Sequence, residues 1–153
     1  MELDPNKNYG EDPGLLTQNF VDHVKTLIEK KNPGAEAMIF IIYDFIDARH
    51  FRYCHDYADG RTPDNSETRR LIQNGTLALH YLMNLTTNFG VKLKAMDPPY
   101  HGVAYTDSFK KWHQFWATHY NSLSDSQKND MMDAIMQDRD LSSFLPEKAW
   151  NEE

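Results

Sequence analysis

The chain has 153 residues, a formal net charge of −7 and 40% apolar residues, which is typical of one globular domain. A chain of this length buries roughly 70% of its unfolded surface, so it needs no metal or disulfide to hold a core, and the single cysteine, Cys54, excludes an internal disulfide. The longest apolar run, Ala37 to Tyr43, is too short to span a bilayer, and the start of the chain is polar and acidic, so we expect a cytoplasmic protein with no membrane partner.

Residues 1–12 are predicted to be a flexible N-terminal lead, and residues 13–153 a single helical domain. Asp12 followed by Pro13 has the pattern of a capping residue and a first-turn proline. Apolar residues at helical spacing then predict a first helix that runs to about Lys31.

A second helix is predicted over about 35–58, with Gly60 as its C-terminal stop. Asp64 and Glu67 have the spacing of a capping box at the start of a third helix. Gly90 ends that helix, because a glycine readily adopts the left-handed conformation that closes a helix.

The second half of the chain predicts two more helices and a tail. A proline-rich loop at 97–100 precedes a fourth helix, whose apolar stripe extends over 109–123. Ser124 with Gln127 predicts the cap of a fifth helix, and the tail at 141–150 is interpreted as a docking segment. With no internal repeat and no convincing strand pattern, the fold class is an all-α bundle of four or five helices.

The second predicted helix changes character along its length. Its face from Met38 to Ile46 is apolar, whereas the same face further along carries Arg49, Arg52 and Asp56. Five of the six arginines lie within 22 residues of each other: Arg49, Arg52, Arg61, Arg69 and Arg70. Because burying an unpaired guanidinium is costly, this region requires solvent, carboxylate partners or an anionic ligand.

Arginine and histidine together supply the chemistry that phosphodiester cleavage needs. A guanidinium holds the phosphate and stabilises the extra charge of the transition state. An imidazole titrates near neutral pH and takes the proton of a ribose 2′-hydroxyl or protonates the leaving 5′-oxygen. Arg52, Arg61, Arg69 and Arg70 are candidates for further anion contacts. This chemistry requires no metal, and no motif for a cofactor is present.

The segment Arg49-His50-Phe51-Arg52-Tyr53-Cys54-His55-Asp56-Tyr57 resembles the signature of the HEPN superfamily of all-α ribonuclease and nucleotide-binding domains, common in toxin–antitoxin and antiphage systems. That signature is an arginine, four to six residues and a histidine. The resemblance implies that Arg49 and His55 are the catalytic pair. It also implies that His50 and Tyr57 support them, that RNA or a nucleotide is the substrate, and that two copies form one cleft as a homodimer.

Two other interpretations fit this part of the chain. In the first, the arginines form ion pairs that lock helix 2 to helix 3. Those pairs would join Arg49 and Arg52 to Asp56, Asp59 or Glu67. The protein would then be a non-catalytic helical binding protein, such as an inhibitor or accessory protein of a phage or mobile element, and would engage a protein or a small anionic ligand. The second interpretation is a metal-dependent nucleotide pyrophosphatase that uses Asp44 and Asp47, although no second Glu-rich helix is present.

Geometry sets a condition on the proposed catalytic pair. On an ideal helix Arg49 and His55 lie about 240° apart, so they converge only if the helix ends or bends between them. A metal site beginning at Asp44 would need ligands from a second helix, and we predict a solvated polar face there instead. His113 and His119 are six residues apart on helix 4, so they point to different faces, and we predict structural or surface roles for both.

Overall fold

The computed structural model describes residues 23–95, 103–104 and 106–151, and most of the ordered elements within them are α-helices. They are α1, described over 23–29, α2 (Gly34–Ala58), α3 (Ser66–Leu85), α4 (Asp107–Asn121) and α5 (Asp125–Met136). A 3-10 helix, Thr86–Phe89, continues α3. The predicted all-α bundle is confirmed.

A short antiparallel ladder lies between α3 and α4 and was not predicted. It consists of β1 (Lys94–Ala95) and β2 (Val103–Ala104), with Lys94 opposite Ala104 and Ala95 opposite Val103. Strands of two residues give no alternating apolar pattern, which explains why the sequence does not reveal them.

Some predictions lie outside the described residues. These are the flexible lead over 1–12, the start of the first helix near residue 13, and the proline-rich loop at 97–100. Among the helices that the structure does describe, none combines the length and apolar character that crossing a membrane requires.

Gly60 follows the end of α2 and a capping box begins α5, as the sequence predicts. However, α3 ends at Leu85, and Gly90 closes the 3-10 helix that continues it. Gly60 and Gly90 have φ angles of 76° and 85°, the left-handed conformation that favours glycine. The Ser124 hydroxyl accepts from the Gln127 backbone N–H, and the Gln127 side chain accepts from the Ser124 N–H, so this capping box is confirmed.

The predicted cap of α3 is wrong by one residue. The N-cap is Asn65, whose side chain accepts from the Thr68 backbone N–H at 2.9 Å. Asp64 lies outside the helix, and its carboxylate accepts from the Tyr57 hydroxyl instead. Asn and Asp cap helices about equally well, so the choice between neighbours depends on what else each side chain binds.

The hydrophobic core is built around the first half of α2. Five of its large apolar side chains are at most 1% exposed: Met38, Ile39, Phe40, Ile42 and Ile46. Against them pack Leu82 and Met83 of α3, Phe109, Trp112 and Trp116 of α4, and Met131 and Ile135 of α5. Complete burial of one such side chain contributes about 1.5–3 kcal/mol, so α2 is central to stability.

The C-terminal tail docks on this core, as predicted. Leu141 is 4% exposed, and Phe144, Leu145 and Trp150 pack against the core from its edge. The His119 Nε2 donates to the carbonyl oxygen of Phe144 at 2.6 Å, which joins the tail to α4.

Candidate binding surfaces

The structure places the predicted catalytic pair on one continuous helix. Because α2 runs unbroken from Gly34 to Ala58, Arg49 and His55 lie on different sides of it. The Arg49 guanidinium is 4.8 Å from the centre of the Phe45 ring, whereas the His55 ring is 4.8 Å from the ring of Phe51. A single chain therefore does not bring the two residues together, and their catalytic role stays a prediction.

The two predicted supporting residues are engaged in contacts within the fold. The His50 Nε2 lies 3.0 Å from the Ile72 carbonyl oxygen, and a Cβ added to Gly75 would collide with the His50 ring. His50 thus lies in the contact between α2 and α3. The Tyr57 hydroxyl donates to Asp64 at 2.7 Å, and this hydrogen bond raises the Tyr57 pKa.

Three of the four predicted anion-binding arginines are paired with nearby carboxylates. Arg61 lies 3.5 Å from Asp56 and 3.8 Å from Asp59, Arg69 lies 2.9 Å from Asp64, and Arg70 lies 2.6 Å from Glu67. All of these pairs are at the surface, where one ion pair contributes about 0–1 kcal/mol. Arg52 differs from them, because it forms no salt bridge with any described residue.

An exposed face remains on the second half of α2. We define the α2 outer face by seven exposed residues: Asp47, Ala48, Phe51, Arg52, His55, Ala58 and Asp59. The Phe51 side chain is 65% exposed, which is unusual for a large aromatic residue. Arg52 and His55 are three residues apart on this face, so the structure brings His55 closer to Arg52 than to Arg49.

Sequence reasoning missed a histidine–carboxylate pair that joins α2 to α4. The His113 Nε2 lies 2.6 Å from an oxygen of Asp44, and the His113 ring contacts those of Phe40, Tyr43 and Phe109. The prediction that Asp44 belongs to a solvated polar face is therefore only partly correct. Within the described ranges, no group of three or more His, Cys, Asp or Glu residues is arranged to hold a metal ion.

A carboxylate at the start of α2 is held by two indoles. One oxygen of Glu36 accepts from the Nε1 of both Trp112 and Trp116, each at 2.7 Å. Burial raises the pKa of Glu36, and the two hydrogen bonds offset part of that increase. The two indoles are 0% and 3% exposed, so this arrangement belongs to the core.

A groove lies between the outer side of α4 and the tail. We call it the α4–tail groove, and its lining residues are Lys110, Lys111, Gln114, Phe115, Thr118, His119, Ser122, Pro146 and Glu147. Both lysines are exposed, and neither forms a salt bridge with the part of the chain that the structure describes. Phe115 is half-buried and supplies apolar surface. The groove lining thus has two lysines against one carboxylate, Glu147, so it is locally basic in a protein of net charge −7.

No family model, no curated protein and no solved structure matches this chain. The resemblance to the HEPN superfamily depends on the segment from Arg49 to Tyr57 alone, and it stays a prediction.

Proposed function

We propose that this protein is a non-catalytic helical binding protein and that the α4–tail groove binds an acidic segment of a partner protein. The observation that carries the proposal is the pair of adjacent lysines, Lys110 and Lys111, which line a groove with apolar surface and have no salt bridge among the described residues. A protein partner with carboxylates and an apolar anchor has the chemistry that complements this groove.

The chemistry of the groove supports this choice of ligand. Phe115 and the aliphatic stems of the lysines provide apolar surface for a leucine or phenylalanine of the partner. Covering that surface removes water, which strengthens the attraction between each ammonium group and a carboxylate. His119 holds the tail through the Phe144 carbonyl, so the groove wall that contains Pro146 is in place before a ligand binds. Binding therefore loses less conformational entropy from ordering this wall.

The predicted ribonuclease is a second candidate if Arg52 takes the role predicted for Arg49, because Arg52 and His55 are three residues apart on the α2 outer face. In that reaction His55 takes the 2′-hydroxyl proton, the 2′-oxygen bonds to phosphorus, and the P–O5′ bond breaks. Solvent supplies the proton to the leaving 5′-oxygen, and the His55 imidazolium afterwards returns its proton to solvent. The products are a 2′,3′-cyclic phosphate and a 5′-hydroxyl, and Arg52 would hold the phosphate. This candidate uses different residues from the groove, so the two are separable by substitution.

The groove is tested with a fluorescein-labelled peptide of alternating acidic and leucine residues, and with the same peptide carrying lysine in place of the acids. Fluorescence anisotropy should show binding of the acidic peptide only. The double substitution Lys110→Glu, Lys111→Glu should weaken binding by at least about tenfold, because it turns attraction into repulsion. The matched control is Lys92→Glu with Lys94→Glu, which makes the same charge change at exposed lysines outside the groove.

Two outcomes would contradict the binding proposal. One is equal weakening by the groove variant and its control, since this would show a general charge effect. The other is no binding of the acidic peptide by the wild-type chain. Cleavage of single-stranded RNA that persists in EDTA and is lost in His55→Ala would support the ribonuclease instead.

A further inference from the structure

The α2 outer face is separate from the groove and has the features of an interface. We propose that two copies of this chain associate through this face with their α2 helices parallel, so that Asp47 of each copy binds Arg52 of the partner subunit. This inference goes beyond the proposed function, because it assigns a second surface on a different helix and names its occupant.

The exposed residues of the α2 outer face include four with the spacing of a coiled coil. Ala48, Phe51, His55 and Ala58 are separated by three, four and three residues, which is the spacing of the a and d positions of two heptads. All four side chains are exposed. In a paired helix, Phe51 would lose contact with water, and the two alanines would let the backbones approach closely.

The charges on either side of this seam set the orientation. With Ala48 as an a position, Asp47 is a g position and Arg52 is the e position five residues later. In a parallel pair, a g residue meets the e residue of the other helix five residues further along, so twofold symmetry creates two such ion pairs. An antiparallel pair would place Arg52 beside Arg52 of the partner subunit, where like charges repel.

Within one copy, Asp47 and Arg52 remain available for a partner subunit. Asp47 and Arg52 lie about 140° apart on their own helix, so they cannot bond to each other. Neither forms a salt bridge with a described residue. Although Asp47 is exposed overall, partial burial of its carboxylate raises its pKa, and the charge of Asp44 adds to this increase. His113 and His50 offset part of it.

The short seam predicts a weak dimer. Stable interfaces bury about 1,200–2,000 Å² in total, whereas this seam covers only two heptads. Association should therefore depend on concentration within the micromolar to millimolar range and weaken as salt screens the two ion pairs. The pairing covers His55, so it is incompatible with RNA cleavage at this face in the associated state.

Charge reversal tests the pairing by analytical ultracentrifugation of the full chain, from about 1 μM to about 1 mM. Asp47→Arg and Arg52→Asp should each weaken self-association at least about tenfold, because each places like charges together twice. The double variant should restore association, since it forms the same pairs with exchanged signs. Glu67→Arg with Arg70→Asp is the matched control, because it exchanges a surface pair outside the face.

Sedimentation of the wild-type chain at high concentration and of the double variant distinguishes a correct dimer proposal from a wrong one. A wild-type chain that stays monomeric throughout, or a double variant as weak as the single ones, would overturn the proposed dimer. Restored association in the double variant would support it. Because Lys110 and Lys111 lie outside this face, peptide binding to the groove should be the same in every variant, so failure of the dimer and failure of the proposed function are distinguishable.

Discussion

The two halves of α2 share one backbone but have opposite environments. From Ala35 to Ile46 most side chains are buried, whereas from Asp47 to Ala58 every side chain is exposed or only half-buried. Helices of the bundle surround the first half, whereas the second half is half-buried on one side, where His50 contacts α3, and exposed on the other. Helical periodicity continues across this boundary, so it shows that a helix exists but not where the core ends.

The largest expected effect compares two phenylalanines on this helix. Phe40 is 1% exposed and lies within reach of the rings of Trp112 and Trp116, whereas Phe51 is 65% exposed. Phe40→Ala should lower the free energy of unfolding by about 3–5 kcal/mol, because it leaves a cavity. Phe51→Ala should change it by less than about 0.5 kcal/mol. Urea unfolding at micromolar protein concentration measures both, and equal losses would contradict the division of α2 into two environments.

A smaller effect is expected where the second half of α2 contacts α3. Gly75→Ala adds a methyl group that collides with the His50 ring, so it should destabilise the fold by about 1–3 kcal/mol even though alanine favours helices. In a His50→Ala background the collision is absent, and the same substitution should be neutral or stabilising. A double-mutant cycle on unfolding free energies measures this coupling, and additive effects would show that the close contact is absent.

The smallest expected effect is a pH dependence of the free energy of unfolding, caused by Glu36 in the buried first half of α2. Because burial raises the folded-state pKa of Glu36 above the ordinary value of 4.5, the folded state binds a proton more readily than the unfolded state. Its contribution to the free energy of unfolding is greatest below pH 4.5 and is lost as pH rises through the folded-state pKa. Glu36→Gln keeps an acceptor for both indoles but cannot titrate.

The measurement compares wild type and Glu36→Gln in urea at several pH values. The stability of the wild type relative to the variant should fall as pH rises above about 4.5, by the slope that proton linkage gives. A difference that does not change with pH, or one that grows in favour of the wild type, would contradict the raised pKa.

Local patterns predicted the helices and most of their ends, because spacing and capping residues act over a few positions. One exception is the N-cap of α3, where Asp64 and Asn65 are adjacent candidates. Asp64 is occupied by Tyr57 and Arg69, and only the folded arrangement shows that competition. The predicted carboxylates do bind arginines, but not the predicted ones. Asp56 and Asp59 pair with Arg61, and Glu67 pairs with Arg70, whereas Arg52 forms no salt bridge with a described residue.

The candidate sites were less predictable, because they depend on contacts between distant parts of the chain. Asp44 and His113 are 69 residues apart, and their pairing depends on which side of α2 receives α4. Lys110 and Lys111 line a groove because residues of the tail, Pro146 and Glu147, lie opposite them and form its other wall. The hydrophobic pattern identifies the inward side of α4 but gives no information about the path of the tail.

The two indoles that hold Glu36 also give the protein an optical signal. Two of its three tryptophans, Trp112 and Trp116, are buried beside one carboxylate, so their fluorescence should respond both to the loss of that environment and to the charge on Glu36. A red shift of their emission would report exposure to water on unfolding. Intrinsic fluorescence can therefore follow the core around the first half of α2 without any attached dye.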